Sequence, residues 1–229
     1  MRKLVIIPAY NEEGNLEKTI NDIKENAQEF DYIIINDCSR DNTLEMCRQK
    51  GFNYLNLPVN LGIGGAVQTG YRYAYYHGYD VAVQFDGDGQ HSAAYLTKMA
   101  DTMQETGADM VIGSRFIEKE GFQSSGLRRI GIRYFTGLIK LLTGARITDP
   151  TSGMRMVNRS LLKKFIDEYP KDYPEPESVV TVLSEKYKVI EIPVIMNERE
   201  EGVSSISLKN SVYYMIKVSF AILIARMKR

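Results

Sequence analysis

The run Val81-Ala82-Val83-Gln84-Phe85-Asp86-Gly87-Asp88-Gly89-Gln90-His91 reads as a buried strand that breaks into an acidic turn. Two carboxylates stand one residue apart in that turn, at the carboxyl end of a strand, which is where ligands of open α/β sheets gather. Aspartates flanking a glycine can bring hard oxygens to one divalent cation, whose shell is then completed by water and substrate phosphates. Acidic turns are common, so it is the position straight after the strand that gives Asp-x-Asp its weight.

Outward from this strand, short apolar runs alternate with longer segments of helical period, the arrangement of strand-helix units on a mostly parallel sheet. Strands are expected at 4–9, 32–36, 54–57, 81–85 and 110–113. Between the first two, Leu16, Ile20, Ile23, Ala27 and Phe30 recur at steps of four and three and predict one helical face turned to the sheet. Further helices are expected near 43–50, 63–77 and 93–105, with Gly51, Gly78 and Gly107 as C-terminal stops. His77 beside Gly78 reads as a helix-end residue. Tyr71 to Tyr76 reads as half core and half surface.

The second half changes character. Residues 127–146 carry Arg128, Arg129, Arg133, Lys140 and Arg146 with no acid, interleaved with Ile130, Ile132, Tyr134, Phe135, Leu138, Ile139, Leu141 and Leu142. That is the pattern of a basic amphipathic helix lying on a membrane. Residues 203–229 repeat it with Lys209, Lys217, Arg226, Lys228 and Arg229. The longest apolar candidate, 212–225, is too short for the roughly 20 residues of a membrane span. The expected organisation is therefore a main domain over 1–205 and a membrane-associating helix over 206–229. Val212, Ile216, Ser219, Phe220 and Leu223 share the apolar face of that helix.

The whole chain of 229 residues balances 29 Lys+Arg against 29 Asp+Glu, which argues against a protein that coats nucleic acid. Apolar residues at 44% and charged residues at 25% exclude disorder and fibrous classes. Two cysteines, Cys38 and Cys47, are too few for a disulfide scaffold and read as structural thiols of a reduced compartment.

Two more polar turns follow strands on the same edge: Pro8-Ala9-Tyr10-Asn11-Glu12 after the first, and Asn36-Asp37-Cys38-Ser39-Arg40-Asp41 after the second. Any one of Asp37, Ser39 or Asp41 alone reads as a helix N-cap. Three polar turns on one edge point to a ligand. Asn60-Leu61-Gly62-Ile63-Gly64-Gly65-Ala66 adds a glycine-rich turn opening a helix, where backbone N–H groups meet phosphate. It is neither a P-loop nor a dinucleotide fingerprint.

These residues resemble the family 2 glycosyltransferases of the GT-A fold, in particular dolichol-phosphate mannosyltransferase and bacterial polyprenyl-phosphate enzymes. The matching motifs run in order: Pro-x-Tyr-Asn-Glu at 8–12, Asp-x-Ser at 37–39, Asn-x-Gly at 60–62, Asp-x-Asp-x-Gln-His at 86–91, Gly-Ser-Arg at 113–115, Asp-Pro-Thr-Ser-Gly-Met-Arg at 149–155, and a looser match at 198–205. The resemblance implies an α/β, GT-A (Rossmann-like) fold: a mostly parallel sheet flanked by helices, with C-terminal amphipathic helices. It implies that Pro8, Tyr10, Glu12, Asp37 and Gly62 hold the nucleotide, with Asp86 near the ribose and diphosphate. Asp86, Asp88 and Gln90 would then hold Mg2+ or Mn2+, and Arg115 and Arg129 would meet the acceptor phosphate.

Arg133 stands where the family often has Ser, which makes the acceptor site more cationic. Asn36 stands where many relatives have an acid. Asp149 is the candidate base or orienting carboxylate, and Asp88, Asp149 and Arg115 form the expected catalytic set. His91 and the pair Glu175 and Glu177, in Tyr-Pro-Glu-Pro-Glu, lie near the site by sequence.

The activity implied is transfer of a hexose, with inversion, from a nucleotide sugar to polyprenyl (undecaprenyl) phosphate for cell-envelope polysaccharide. UDP-glucose and UDP-N-acetylglucosamine are the favoured donors and GDP-mannose stays open. The expected location is peripheral, on the cytoplasmic face of the cell membrane, reinforced by a small membrane-protein partner or by self-association. A sugar-1-phosphate nucleotidyltransferase would instead show a glycine-rich loop with Arg and Lys after the first strand, where Tyr10-Asn11-Glu12-Glu13 is acidic. A membrane adaptor would leave the aspartates unexplained.

Overall fold

The computed structural model describes residues 1–122, 126–172, 174–197 and 208–227. Its strands are β1 (Lys3–Ala9), β2 (Phe30–Asn36), β3 (Tyr54–Asn56), β4 (Val81–Gln84), β5 (Met110–Ser114), β6 (Arg155–Asn158) and β7 (Val189–Pro193). The helices are α1 (Leu16–Asn26), α2 (Thr43–Gln49), α3 (Gly62–Tyr76), α4 (Leu96–Thr106), α5 (Gly126–Thr143), α6 (Arg159–Phe165), α7 (Pro174–Ser184) and α8 (Leu208–Met227). All seven strands form one sheet in the order β3-β2-β1-β4-β6-β5-β7, parallel except where β6 runs against β4 and β5. This is the mostly parallel α/β sheet expected from the strand-helix alternation.

β1 holds a central place because Leu4, Val5, Ile6 and Ile7 are apolar without interruption, the pattern of a strand covered on both faces. One face packs Leu4 and Ile6 against α3, α5, α6, α7 and α8; the other packs Val5 and Ile7 against α1, α2 and α4. α3 approaches β1 closely enough that a Cβ on Gly70 would lie 2.2 Å from Ile6 Cγ2. Gly70→Ala is therefore expected to destabilise the fold by about 1–3 kcal/mol through overpacking, despite the better helix propensity of alanine. Urea unfolding measures it, and an unchanged midpoint would mean that α3 shifts without cost.

Sequence periodicity places the boundaries of the first half closely, with two physical departures. α1 ends at Asn26, so Phe30 is not on its last turn; it opens β2 and meets Ile20 and Ile23 from there. The expected helix at 93–105 starts as a 3₁₀ turn, Ala93–Tyr95, capped by the Ser92 hydroxyl, before α4 proper; Gly107 ends α4 with φ 65°. In the second half β6, β7, α6 and α7 appear where periodicity gave no element. β6 has only four residues and begins on a buried arginine, which masks it in an apolar pattern.

α5 and α8 pack against α7, and α5 against α8, so the C-terminal helix joins the main core through Val218, Ile222 and Ala225. Its other side is exposed at Ile216, Phe220, Leu223, Ile224 and Met227, and Ile130 and Tyr134 of α5 are exposed as well. Tyr134 Oη and Ser219 Oγ lie 3.0 Å apart and tie the two helices. A surface cavity of about 480 Å³ lies over this seam, lined by Tyr134, Met215, Ile216, Ser219, Phe220 and Leu223. Arg129, Arg133 and Lys140 stand exposed on α5.

Two of the C-terminal cations are engaged within the protein. Lys217 pairs with Asp172 at 3.0 Å, and Arg226 Nε donates to the Leu142 carbonyl at 3.0 Å. No helix among the described residues is long and apolar enough to cross a membrane. The 198–205 motif, Lys228 and Arg229, and the side chains of Arg128, Lys209 and Val212 lie outside the described residues.

Candidate functional site

β2, β1 and β4 are adjacent and parallel, so the three polar turns that follow them emerge side by side on one sheet edge. β5 leaves the sheet at this same edge and β6 enters there, because β6 is antiparallel to both of its neighbours. The topology alone therefore collects Pro8, Tyr10, Glu12, Asp37, Asp86, Asp88, Arg115 and Asp149 along one rim.

On the β1–β2 side, Asn11 adopts a left-handed φ of 58° and Cys38 one of 60°, which turns both loops sharply. The loops lock together: the Asn11 N–H donates to Ser39 Oγ at 3.0 Å, and the Arg40 N–H returns a bond to Asn11 Oδ1 at 2.8 Å. Glu12 is anchored by its N–H to Thr43 Oγ1, and its carboxylate accepts from Asn15 Nδ2 at 3.0 Å. Tyr10 stays 42% exposed, presenting a ring at the rim. Asp37 is buried and accepts the Leu61 N–H at 2.7 Å, while Asn60 Nδ2 donates to its carbonyl. Burial raises the Asp37 carboxyl above its usual range, and the Leu61 and Gly62 N–H groups pull it back. Asp37 thus organises the glycine-rich turn, and Gly62, at φ 74°, opens α3 beside it.

The acidic turn after β4 is held from four sides. Gly87 lies against the Pro8 carbonyl, with an added Cβ only 3.3 Å away, and its own carbonyl accepts from Thr19 Oγ1. His91 is buried, and its Nδ1 accepts the Asp86 N–H at 3.1 Å. That bond puts the ring proton on Nε2, 3.8 Å from Asp86 Oδ2. His91 therefore buttresses the turn. Asp86 Oδ1 accepts from Gln84 Nε2 at 3.2 Å, and a Cβ on Gly153 would strike Oδ2 at 2.3 Å, so only glycine fits there. Gln90 is set by the exit of β7: the Asn197 N–H donates to its carbonyl at 2.9 Å, and its Nε2 donates to the Asn197 carbonyl at 3.4 Å.

Asp86, Asp88 and Gln90 all stand in this turn, where the Gln90 N–H donates to Asp88 Oδ1 at 3.1 Å; their side-chain oxygens are of the hard type that Mg2+ or Mn2+ prefers. No group of three His, Cys, Asp or Glu side chains converges among the described residues.

Arg115 and Asp149 form a buried, bidentate pair: Nε to Oδ2 at 2.6 Å and Nη2 to Oδ1 at 2.8 Å. The Arg115 N–H and Thr151 Oγ1 add bonds to the same carboxylate. With both oxygens occupied, Asp149 is built to orient Arg115, and the base reading loses its geometric support. Arg129 and Arg133 stand one turn apart and exposed on α5. No hydrogen bond or ion pair joins either to the Arg115–Asp149 pair among the described residues.

Three supporting residues escaped the sequence reading. Arg155, named there only as the end of a motif, is fully buried. It donates from Nε to the Ser152 carbonyl, from Nη2 to the Pro150 carbonyl, and from Nη1 to Ser178 Oγ and the Glu175 carbonyl. Glu191, on β7, accepts the Thr148 and Asp149 N–H groups. Gln84 sits between Asp86 and Glu175, whose carboxyl is raised by burial, partly offset by Arg155. A charged or amide residue inside an apolar run, as in Met154-Arg155-Met156 or Ile190-Glu191-Ile192, is the available signal for such groups. His77 stacks on Tyr73 at 3.9 Å at the end of α3, the helix-end role expected of it.

Residues 4–166 match the family described as Glycosyl transferase family 2. The chain is 29% identical over 229 residues to polyprenol monophosphomannose synthase of Mycolicibacterium smegmatis, covering 95% of this chain and 86% of that one. It is 29% identical to UDP-N-acetylglucosamine–dolichyl-phosphate N-acetylglucosaminyltransferase of Methanococcus voltae, covering 83% of each. Among solved structures it is similar to glucosyl-3-phosphoglycerate synthase of Mycobacterium tuberculosis, in complex with Mn2+, UDP-glucose and phosphoglyceric acid. That likeness has a TM-score of 0.76 at 16% identity and covers 98% of this chain and 79% of that one.

Proposed function

The chain belongs to glycosyl transferase family 2 and has the GT-A fold, and from that premise we propose that it moves a hexose, with inversion, from a nucleotide sugar to polyprenyl phosphate. The placement of Asp37 with its glycine-rich turn, the Asp86–Gln90 turn and the Arg115–Asp149 pair on one sheet edge carries this reading. Relatives named for polyprenol and dolichyl phosphate support the acceptor class. UDP-glucose and UDP-N-acetylglucosamine are the proposed donors.

In this mechanism Tyr10, Glu12 and Asp37 hold the base and ribose, and the turn at Gly62 lies beside them. A divalent cation, when bound at Asp86, Asp88 and Gln90, neutralises charge developing on the leaving diphosphate. The known Mn2+ complex of a structural neighbour supports such a site. The nucleophile is an oxygen of the lipid phosphate, already ionised at pH 7. Its lone pair forms the new bond to the anomeric carbon as the bond to the diphosphate oxygen breaks and its electrons leave with the nucleotide. No proton has to be removed, so the site needs aimed cations more than a base. Arg115, fixed in plane by Asp149, supplies one. Arg129 and Arg133 are proposed to supply others where α5 meets the lipid headgroup.

A donor panel with polyprenyl phosphate tests the proposal: one nucleotide sugar should give labelled lipid, and soluble sugars serving equally well as acceptors would overturn it.

Attachment is proposed to be peripheral, on the cytoplasmic face, through the exposed apolar sides of α5 and α8 flanked by Arg129, Arg133 and Lys140. Cations near an anionic surface contribute on the order of 1 kcal/mol each and are screened by salt. Flotation with anionic vesicles should show binding that weakens with salt and with removal of residues 211–229. Binding indifferent to both would refute this arrangement. A small membrane-protein partner or self-association would reinforce the attachment, and the proposed role is in building cell-envelope polysaccharide.

A further inference from the structure

The segment between α5 and β6 carries Asp149 yet contains no helix or strand, so side chains must set its shape. At its far end Arg155 binds the Pro150 and Ser152 carbonyls, at 2.6 Å and 2.7 Å. At its near end the Glu191 carboxylate receives two consecutive backbone donors, the Thr148 N–H at 2.7 Å and the Asp149 N–H at 2.8 Å. Glu191 lies on β7 opposite Ile112 of β5, two residues before the Ser114–Arg115 exit, so this carboxylate ties the segment to the strand that delivers Arg115. Ser114 Oγ and Thr148 Oγ1, 2.7 Å apart, repeat the tie one step nearer the pair.

We propose that Glu191 is a positioning residue of the acceptor site: it fixes the backbone of Thr148 and Asp149 so that the Asp149 carboxylate holds the Arg115 guanidinium in the plane that receives the lipid phosphate. The proposal rests on the acceptor reading above. Two parallel N–H bonds to one carboxylate restrain both translation and rotation of the Asp149 backbone. A single acceptor would leave rotation free. Because the Asp149–Arg115 bonds are themselves bidentate, a rotation at Asp149 passes directly to the guanidinium. The nucleotide side, from Asp37 to Gly62, shares no hydrogen bond with Glu191 among the described residues, so the effect should fall on the acceptor alone.

Glu191→Gln is the test, since the amide keeps one acceptor and turns an NH2 toward the second N–H. The KM for polyprenyl phosphate should rise by about 10-fold or more, as misplacement of a binding group by an ångström does, while donor KM and UDP affinity stay within about twofold. The Arg115 side-chain N–H signal, assigned by its loss in Arg115→Lys, should be protected from solvent exchange in the parent and fast-exchanging in the variant. Glu191→Asp, which keeps the charge but falls short by one methylene, should lie between the two and serves if the amide variant does not fold. An unchanged acceptor KM with an unchanged arginine signal overturns the proposal. So does a loss of donor affinity equal to that of acceptor affinity, which would mark a general structural role. If the parent transfers nothing to polyprenyl phosphate, the functional reading fails, and the arginine signal still decides for or against Glu191.

Discussion

Asp88→Asn is expected to lower turnover by about two to three orders of magnitude while leaving the fold intact. The change keeps shape and removes one negative charge from a half-exposed turn, where substitutions usually cost within about 0.5 kcal/mol. What it removes from catalysis is larger, because a cation at a departing diphosphate is worth several kcal/mol of transition-state stabilisation. The same loss should follow excess EDTA in the parent enzyme and be reversed by Mg2+ or Mn2+. Initial rates at saturating donor and acceptor, with circular dichroism as the control for folding, measure it. Undiminished turnover in either condition would remove the metal from the mechanism. Asp86→Asn should be less selective, because Asp86 is also packed against Gly153 and bonded to Gln84, so its effect mixes local repacking with chemistry.

The parts of this site that could be read from sequence are those whose chemistry is local in the chain. Asp86, Asp88 and Gln90 stand in one turn, so spacing alone places them side by side, and the apolar run before them fixes where the turn lies. The α1–β4 half is legible because its strands are continuous apolar runs and its helices have one clear face. The second half is not, because its order comes from long-range polar contacts. β6 is inserted antiparallel between β4 and β5 and begins with a fully buried arginine that binds three carbonyls and a serine hydroxyl, a pattern without periodicity. Glu191 has its partners more than 40 residues away in sequence, at Thr148 and Asp149. The resemblance named Arg115 and Asp149 separately; only the fold shows that they are one unit. The sequence pattern of α8 reads as a surface-lying helix; in the structure one side of it is exposed and the other is buried through Val218, Ile222 and Ala225, against partners that lie far away in sequence.

That unit gives the largest expected effect on stability. In Asp149→Ala the Arg115 guanidinium, buried and stripped of its carboxylate, would keep the Thr151 hydroxyl and the face of the Phe116 ring, 5.4 Å away, but no countercharge. Breaking a buried pair from one side costs about 3–5 kcal/mol, because the remaining charge stays desolvated. Replacing both members by apolar residues of similar size removes that penalty, so Arg115→Met combined with Asp149→Leu should recover most of the lost stability. The two orphaned roles then separate. If the pair exists to aim a cation at the acceptor phosphate, the double variant folds well, binds nucleotide sugar, and transfers at no more than about a hundredth of the parent rate. Urea midpoints of the parent, single and double variants give the first half of this cycle, and transfer rates to polyprenyl phosphate give the second. A double variant that is stable and active would show that the Arg115–Asp149 pair only holds the β5 exit to the segment before β6, and the acceptor phosphate would then have to be met by Arg129 and Arg133 alone.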